Sequence, residues 1–362
     1  MPETSRAATL LAPDKIEIRE YPIPEVPADG GLVAVEMAGV CGSDVKYYHG
    51  KIRLPLPIIL GHEILGRVVK LGREAAAIHQ VNEGDRVIFK GAIGCGRCAD
   101  CRRGAARFCK QRTTYGGRTT CANPPHLFGG FGDYVYLAPD VLLTKISDAL
   151  APQAAVLIGA VMANGFQWAI KQGGVKMGDF VLIQGPGQQG LACTFAARQA
   201  GAARIFVSGI KRDAERLALA QRFGAHRTIF VDEEKVVDVV REETAGAMAD
   251  VVIDVSGNPE AIKTSVDCVR CQGTMVLGGL TGDTTITPLI TDKFVWGEIR
   301  LQGVFTADND AIEATVRLLE ETKFPIQDMV SHVFSVEETE RCVQAVGGEV
   351  AGLYPTKALI KP

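Results

Sequence analysis

The string DFVLIQGPGQQGLACTFAARQAG, residues 179–201, constrains the fold more than any other part of the chain. A short apolar run ends in Gly185-Pro186-Gly187-Gln188-Gln189-Gly190, and an alanine-rich apolar segment follows. The first part has the length and branching of a buried strand, and the last part has the texture of a buried helix. Glycines at these spacings permit a tight turn and let the backbone approach a pyrophosphate, whose charge meets the N-terminus of the following helix. Glycine turns are common, but here strand and helix flank the turn as a dinucleotide fingerprint requires. Gly185, Gly187, Gln188 and Gly190 are therefore candidate cofactor residues.

The surrounding sequence repeats the theme. RIFVSG, DVVIDVSG and TMVLGGL read as further short apolar strands, and helical segments separate the first ones. Alternation of this kind predicts an α/β region with a doubly wound parallel sheet. Before about residue 157 the texture differs. GLVAVEMAGVC, GRVVKLG, GDRVIFK and DYVYLAP are strand-like runs among glycines and prolines, so this part is mostly β. After about residue 302 come two helical stretches, NDAIEATVRLLEE and VEETERCVQAVG, and a last strand, KALIKP.

The strand RIFVSG ends at Gly209, where NAD sites usually present an acidic residue to the ribose 2′-hydroxyl. Lys211 and Arg212 follow. A missing carboxylate leaves room for a 2′-phosphate and two cations can pair with it, which favours NADP(H) over NAD(H). The other reading leaves both cations solvated and gives the ribose of NAD to Asp213 or the backbone.

CGRCADCRRGAARFC places Cys95, Cys98, Cys101 and Cys109 in one loop. Four thiolates at such short spacings wrap a tetrahedral zinc closed to water, so one structural zinc per chain is expected. An iron–sulfur cluster suits the first spacings but not the last, which is long and lacks a following proline. Arg97, Arg102, Arg103, Arg107, Lys110 and Arg112 surround the cysteines, as in a nucleic-acid zinc module. The chain carries a net charge of −3 and the loop has no aromatic interleaving, so a solvated face is the better reading.

These pieces together resemble the zinc-containing medium-chain dehydrogenase/reductase family, which includes alcohol and sorbitol dehydrogenases. GVCGSD, GHEILGRVVKLG, the cysteine lobe, GGFGDYV and GPGQQG occur in that family's order and span nearly the whole chain. The resemblance implies a GroES-like, mostly β catalytic domain from residues 1–156 and 302–362, with its zinc lobe at 91–112. A Rossmann domain at 157–301 would be inserted between them. It also implies a catalytic zinc held by Cys41, His62 and a third residue. Asp44 matches the carboxylate that orients the zinc-bound histidine, Ser43 the hydroxyl that begins a proton relay, and Glu63 an acidic residue able to approach the metal.

The third ligand is expected within LIGAVMANGF, residues 157–166, near Ala160, yet this stretch holds no Cys, Asp, Glu or His. Two outcomes are open: Glu63 completes a Cys41–His62–Glu63 site with water, or the catalytic metal is absent. Lys46 stands where many relatives carry the histidine that finishes the relay, and His49 is a shifted substitute. With zinc the chemistry would be reversible alcohol oxidation. Without it, reduction of an activated C=C bond is the alternative, with Tyr47, Tyr48 or Ser43 as proton donor, and a non-catalytic nucleotide-binding protein is the third reading. By the same resemblance Gly257 and Gly278-Gly279 flank the nicotinamide, and Lys357 contacts the pyrophosphate.

Composition narrows the setting. Hydrophobic residues make up 47% and charged residues 22%, the balance of a soluble globular protein. The weak net charge gives no reason to expect nucleic acid or an anionic membrane as partner. The uncharged stretch 149–170 includes Pro152, Gln153, Asn164 and Gln167 and reads as a buried segment between domains, not a membrane span. The N-terminus lacks a signal-peptide pattern, and clustered cysteines argue against a secreted disulfide framework. A cytoplasmic protein acting on a small molecule is expected, as a homodimer or homotetramer by analogy with relatives.

Overall fold

The computed structural model describes every residue except Met1, Asp283 and Lys323. The chain divides into two compact units, Met1–Gly159 with Leu318–Pro362, and Ala160–Arg317. The return to the first unit falls later than the 301/302 boundary expected from sequence. The strand Arg300–Gly303 belongs to the second unit's sheet, which holds the following segment with it.

The first unit is mostly β. Its larger sheet runs, in spatial order, through Leu143–Lys145, Arg86–Phe89, Glu63–Leu71, Gly31–Gly39, Ala358–Lys361 and His332–Ser335, with Tyr134–Leu137 also paired to Gly31–Gly39. A three-stranded sheet joins Lys15–Pro22, Thr4–Ala12 and Ile58–Ile59. Leu32, Val33, Ile64, Val68, Phe131 and Ile360 are among the buried side chains that form the core. Both chain ends thus share one apolar interior, and that interior brings the C-terminal strand beside Gly31–Gly39.

Register decides which side chains meet across this sheet. Gly39 lies opposite Glu63 on one side and opposite Leu359 on the other. A Cβ on Gly39 would fall 2.2 Å from Glu63 Oε2, so only glycine leaves space for that carboxylate.

The second unit holds a six-stranded parallel sheet in the order Arg227–Phe230, Arg204–Gly209, Phe180–Gln184, Ala249–Asp254, Val269–Leu277 and Arg300–Gly303. Val181, Leu182 and Ile183 of the central strand are fully buried, as a strand covered on both faces demands. Strand order reverses at Phe180–Gln184, and the crevice at that point is where such sheets bind ligands. The helix Gln188–Gln199 is buried along most of its length, which explains its run of alanines.

The helical stretch Pro152–Gln172 is long and apolar enough to cross a membrane, but 72% of its apolar window is buried inside the protein. It is irregular, with π-helical turns at Ile158–Met162 and Gln167–Gln172.

Candidate metal centres and dinucleotide turn

The helix Gly42–Tyr48 begins directly after Cys41, and Asp44 caps it by accepting the Cys41 N–H at 2.8 Å through Oδ2. This cap points the other carboxylate oxygen at a neighbour. Asp44 Oδ1 lies 3.5 Å from His62 Nδ1, is buried, and has no hydrogen-bond partner among the described residues. His62 precedes the strand Glu63–Leu71, so sheet pairing places its ring beside the helix. Cys41 Sγ, a ring nitrogen of His62 and a carboxylate oxygen of Glu63 lie within 4.8 Å of one another.

The electrostatics suit a metal. Burial opposes ionisation of Cys41, but a hydrogen bond and the charge of His62 outweigh it and hold the thiol below its ordinary value. Burial pushes His62 down, while Asp44 and then Cys41 pull it well above the usual imidazole value. The surroundings thus favour an ionised sulfur and a positive charge at the ring, which a bound divalent cation would satisfy, and Asp44 Oδ1 is placed to receive a ring N–H. These residues fit a zinc ion with one sulfur, one nitrogen and one oxygen donor.

Ala160, where the resemblance led a ligand to be expected, carries only a methyl group and lies in the first π-helical turn. Asn164, the polar side chain of that stretch, already accepts from Ala307 N at 2.8 Å.

Three of the expected site residues have partners invisible in sequence. Lys357, expected beside a pyrophosphate, has a fully buried side chain, with Nζ 2.5 Å from Glu63 Oε2 and donating to Val40 O at 3.0 Å. His49 does not stand free as a relay group, because Nδ1 lies 2.6 Å from Asp14 and Nε2 2.5 Å from Glu349. Tyr48 is no available acid: its hydroxyl donates to Glu340 at 3.0 Å, accepts from Gln344 at 3.1 Å, and burial pushes its pKa up to about 12. Ser43 and Lys46 are half-buried on the same short helix, and Tyr47 lies near enough to His62 to feel its charge.

The sulfurs of Cys95, Cys98, Cys101 and Cys109 also lie within 4.8 Å of one another. Ala92–Ile93 pairs with Thr113–Thr114 and closes the loop at its base. Backbone N–H bonds from Arg97 and Cys98 lower Cys95 to about 6, so one thiolate is ready. Burial and the neighbouring sulfurs push Cys101 to about 12, the mark of thiols that cannot all ionise without a cation. The donor set is that of a closed zinc site.

In the second unit, Gly185 has φ +103° and Gly187 caps the helix Gln188–Gln199. A Cβ on Gly190 would fall 1.9 Å from Gly185 O, so glycine is what allows the helix to pack on the turn. Gly209 ends its strand against Pro186, and Lys211 extends into solvent with Glu233 at 3.3 Å. Arg212 is exposed beside it. Gly257, with φ +64°, donates its N–H to Asp254 Oδ1 at 3.1 Å, and the N–H groups of Gly278 and Gly279 both reach Asp254 O.

Two further residues belong to this region. Asp254 is fully buried at the carboxyl end of its strand, and burial lifts its pKa to about 6 against the bonds from Ser256 and Gly257. An acid closing the apolar run DVVID was the signal for it. Gln189 donates its amide to Ala160 O at 3.1 Å, a contact that no local pattern announces.

Comparison with known proteins agrees with this geometry. The alcohol dehydrogenase GroES-like domain family matches residues 28–148, and the zinc-binding dehydrogenase family matches residues 190–321. A probable alcohol dehydrogenase of Mycobacterium tuberculosis is 33% identical over 99% of this chain and 98% of its own. Sorbitol dehydrogenase of Bacillus subtilis is 29% identical over 95% of each. The crystal structure of a putative zinc-binding dehydrogenase from Sinorhizobium meliloti bound to NADP superposes with a TM-score of 0.87, at 27% identity and full coverage of both chains.

Proposed function

Since the chain belongs to the zinc-type medium-chain dehydrogenase family and is an oxidoreductase of the alcohol and polyol dehydrogenase type, we propose that it interconverts a primary or secondary alcohol with its aldehyde or ketone at a zinc held by Cys41, His62 and Glu63. The observation that carries this reading is the unpartnered Asp44 Oδ1 facing His62 Nδ1 beside the Cys41 thiol. A buried carboxylate oxygen without a donor is costly unless a ligated imidazole supplies one.

Bound there, zinc supplies a Lewis acid for the substrate oxygen, and the nicotinamide supplies hydride acceptance at C4. The chain's own groups handle the proton. Ser43 Oγ accepts the hydroxyl proton of the alcohol as it gives up its own, which leaves toward solvent by way of Lys46, three residues on along the same helix. Oxidation thus yields the carbonyl compound, the reduced nicotinamide and one released proton.

NADP(H) is the proposed cofactor. Gly209 presents no carboxylate, and Lys211 and Arg212 are exposed where a 2′-phosphate would be met. The chain is proposed to act as a homo-oligomer. The exposed Val295 and Trp296 stand near the edge strand Arg300–Gly303, an arrangement suited to a second copy. Four cysteines gathered in one metal-binding loop, the use of cysteine typical of intracellular proteins, support a reducing compartment, the cytoplasm.

The test is metal analysis joined to a turnover panel. Two zinc ions per chain, with NADPH-linked turnover of ketones and NADP-linked oxidation of alcohols or polyols, are expected. One zinc with reduction of enones alone would overturn the proposal.

A further inference from the structure

Lys357 has no part in the chemistry above, yet it is the most completely buried cation near the site. Its side chain is 0% exposed and that of Glu63 1%. The ammonium touches Glu63 Oε2 and the carbonyl of Val40, so it meets one proposed ligand directly and the backbone leading into Cys41, another. The arrangement is built into the sheet. Lys357 immediately precedes Ala358–Lys361, that strand pairs with Gly31–Gly39, and Gly39 leaves room for both head groups: its Cβ would lie 2.2 Å from Glu63 Oε2 and 2.9 Å from Lys357 Nζ.

Charge explains what such a pair does. With the metal bound, the ionised Cys41, Asp44 and Glu63 balance zinc and the Lys357 ammonium. Without Lys357 the same pocket would carry an excess negative charge and attract a divalent cation more strongly. A carboxylate oxygen committed to an ammonium is also less available to a metal.

Resting on the zinc site proposed above, we infer that Lys357 is a positioning residue. It holds Glu63 Oε2 away from the metal, restricts Glu63 to its other oxygen, and sets the zinc affinity of the Cys41–His62–Glu63 site lower than these three ligands would otherwise give. Lys357 is thereby the determinant of how readily this site loads and loses its ion in a chain that lacks a ligand at Ala160.

The experiment uses the full-length chain, with competition against a chromophoric zinc chelator as the readout. Lys357→Met is compared with wild type, alone and in a Glu63→Gln background. Lys357→Met is expected to tighten the weaker of two zinc ions about tenfold or more, within the range typical of groups behind metal ligands. In the Glu63→Gln background the same change should shift affinity at least threefold less. Unchanged or weakened binding in Lys357→Met overturns the inference, and so does an equal effect in both backgrounds. Should wild type hold a single zinc, the zinc-site reading fails for the native chain. A second ion gained by Lys357→Met would then still support the role of Lys357, and none gained would overturn it. If Lys357→Met folds only with metal, the zinc-dependent rise in Tm replaces chelator competition, and it must exceed that of wild type.

Discussion

Asp44 Oδ1 lies 3.5 Å from His62 Nδ1 with no hydrogen-bond partner among the described residues, although the carboxylate is fully buried and its other oxygen caps the helix at Cys41. One side chain therefore does two jobs: it sets where the Cys41 helix starts, and it leaves an acceptor aimed at the imidazole.

Asp44→Asn separates them. The amide oxygen can still accept the Cys41 N–H, so the helix start survives, but an NH2 then faces His62 Nδ1 donor to donor. Zinc affinity at this site should fall about 10- to 100-fold, with a matching loss of kcat/KM. Chelator competition and steady-state kinetics check this, and a variant with wild-type affinity would contradict the proposed role.

The cysteine lobe should behave independently. Cys101→Ser removes a sulfur packed against Gly94, where a Cβ would lie 2.6 Å from it. One zinc per chain should be lost and the other retained. The 90–118 stretch should become sensitive to limited proteolysis, since four clustered sulfurs hold it together only with a cation.

Cofactor choice can be read from the pair after Gly209. Changing Lys211 and Arg212 together to Ala should lower kcat/KM for NADPH about tenfold or more, the worth of a charge-assisted contact to phosphate. The value for NADH should stay within about twofold. Equal losses with both nucleotides would mean that these cations do not read the 2′-phosphate.

His49 supplies a pH signature. Burial pushes its pKa down, but hydrogen bonds to Asp14 and Glu349 outweigh it and leave the pKa raised. A group raised on folding stabilises fully below its unfolded value and loses that contribution as pH climbs through the folded value. His49→Gln should therefore melt about 2 °C below wild type near pH 6, and the gap should close by about pH 9, while kcat changes less than about twofold. A kcat that collapses instead would restore His49 to the proton relay.

Local patterns made much of this legible. The cysteine lobe occupies one continuous loop, and the glycine turn is flanked by its own strand and helix, so spacing alone was enough to find both. Asp254 was visible in principle, as an acid ending an apolar strand. Cys41, Asp44 and His62 needed more: their motifs are short, and only resemblance to a family joined them before the geometry did.

The features that could be read from residue order are those whose physics is local. Glycine's missing Cβ, alternating strand and helix texture, and four thiols in one loop point to a tight strand–helix turn and a cysteine cluster, and each forms within a short stretch of chain. The partners of Glu63 and His49 emerged only with the folded chain, because these contacts close over long stretches of it. Lys357 reaches Glu63 across 294 residues, and Glu349 reaches His49 across 300. Such pairs depend on which strand the C-terminus joins and in what register, and burial then makes the pairing obligatory: a charge taken out of water must find a counter-ion where the fold has put one.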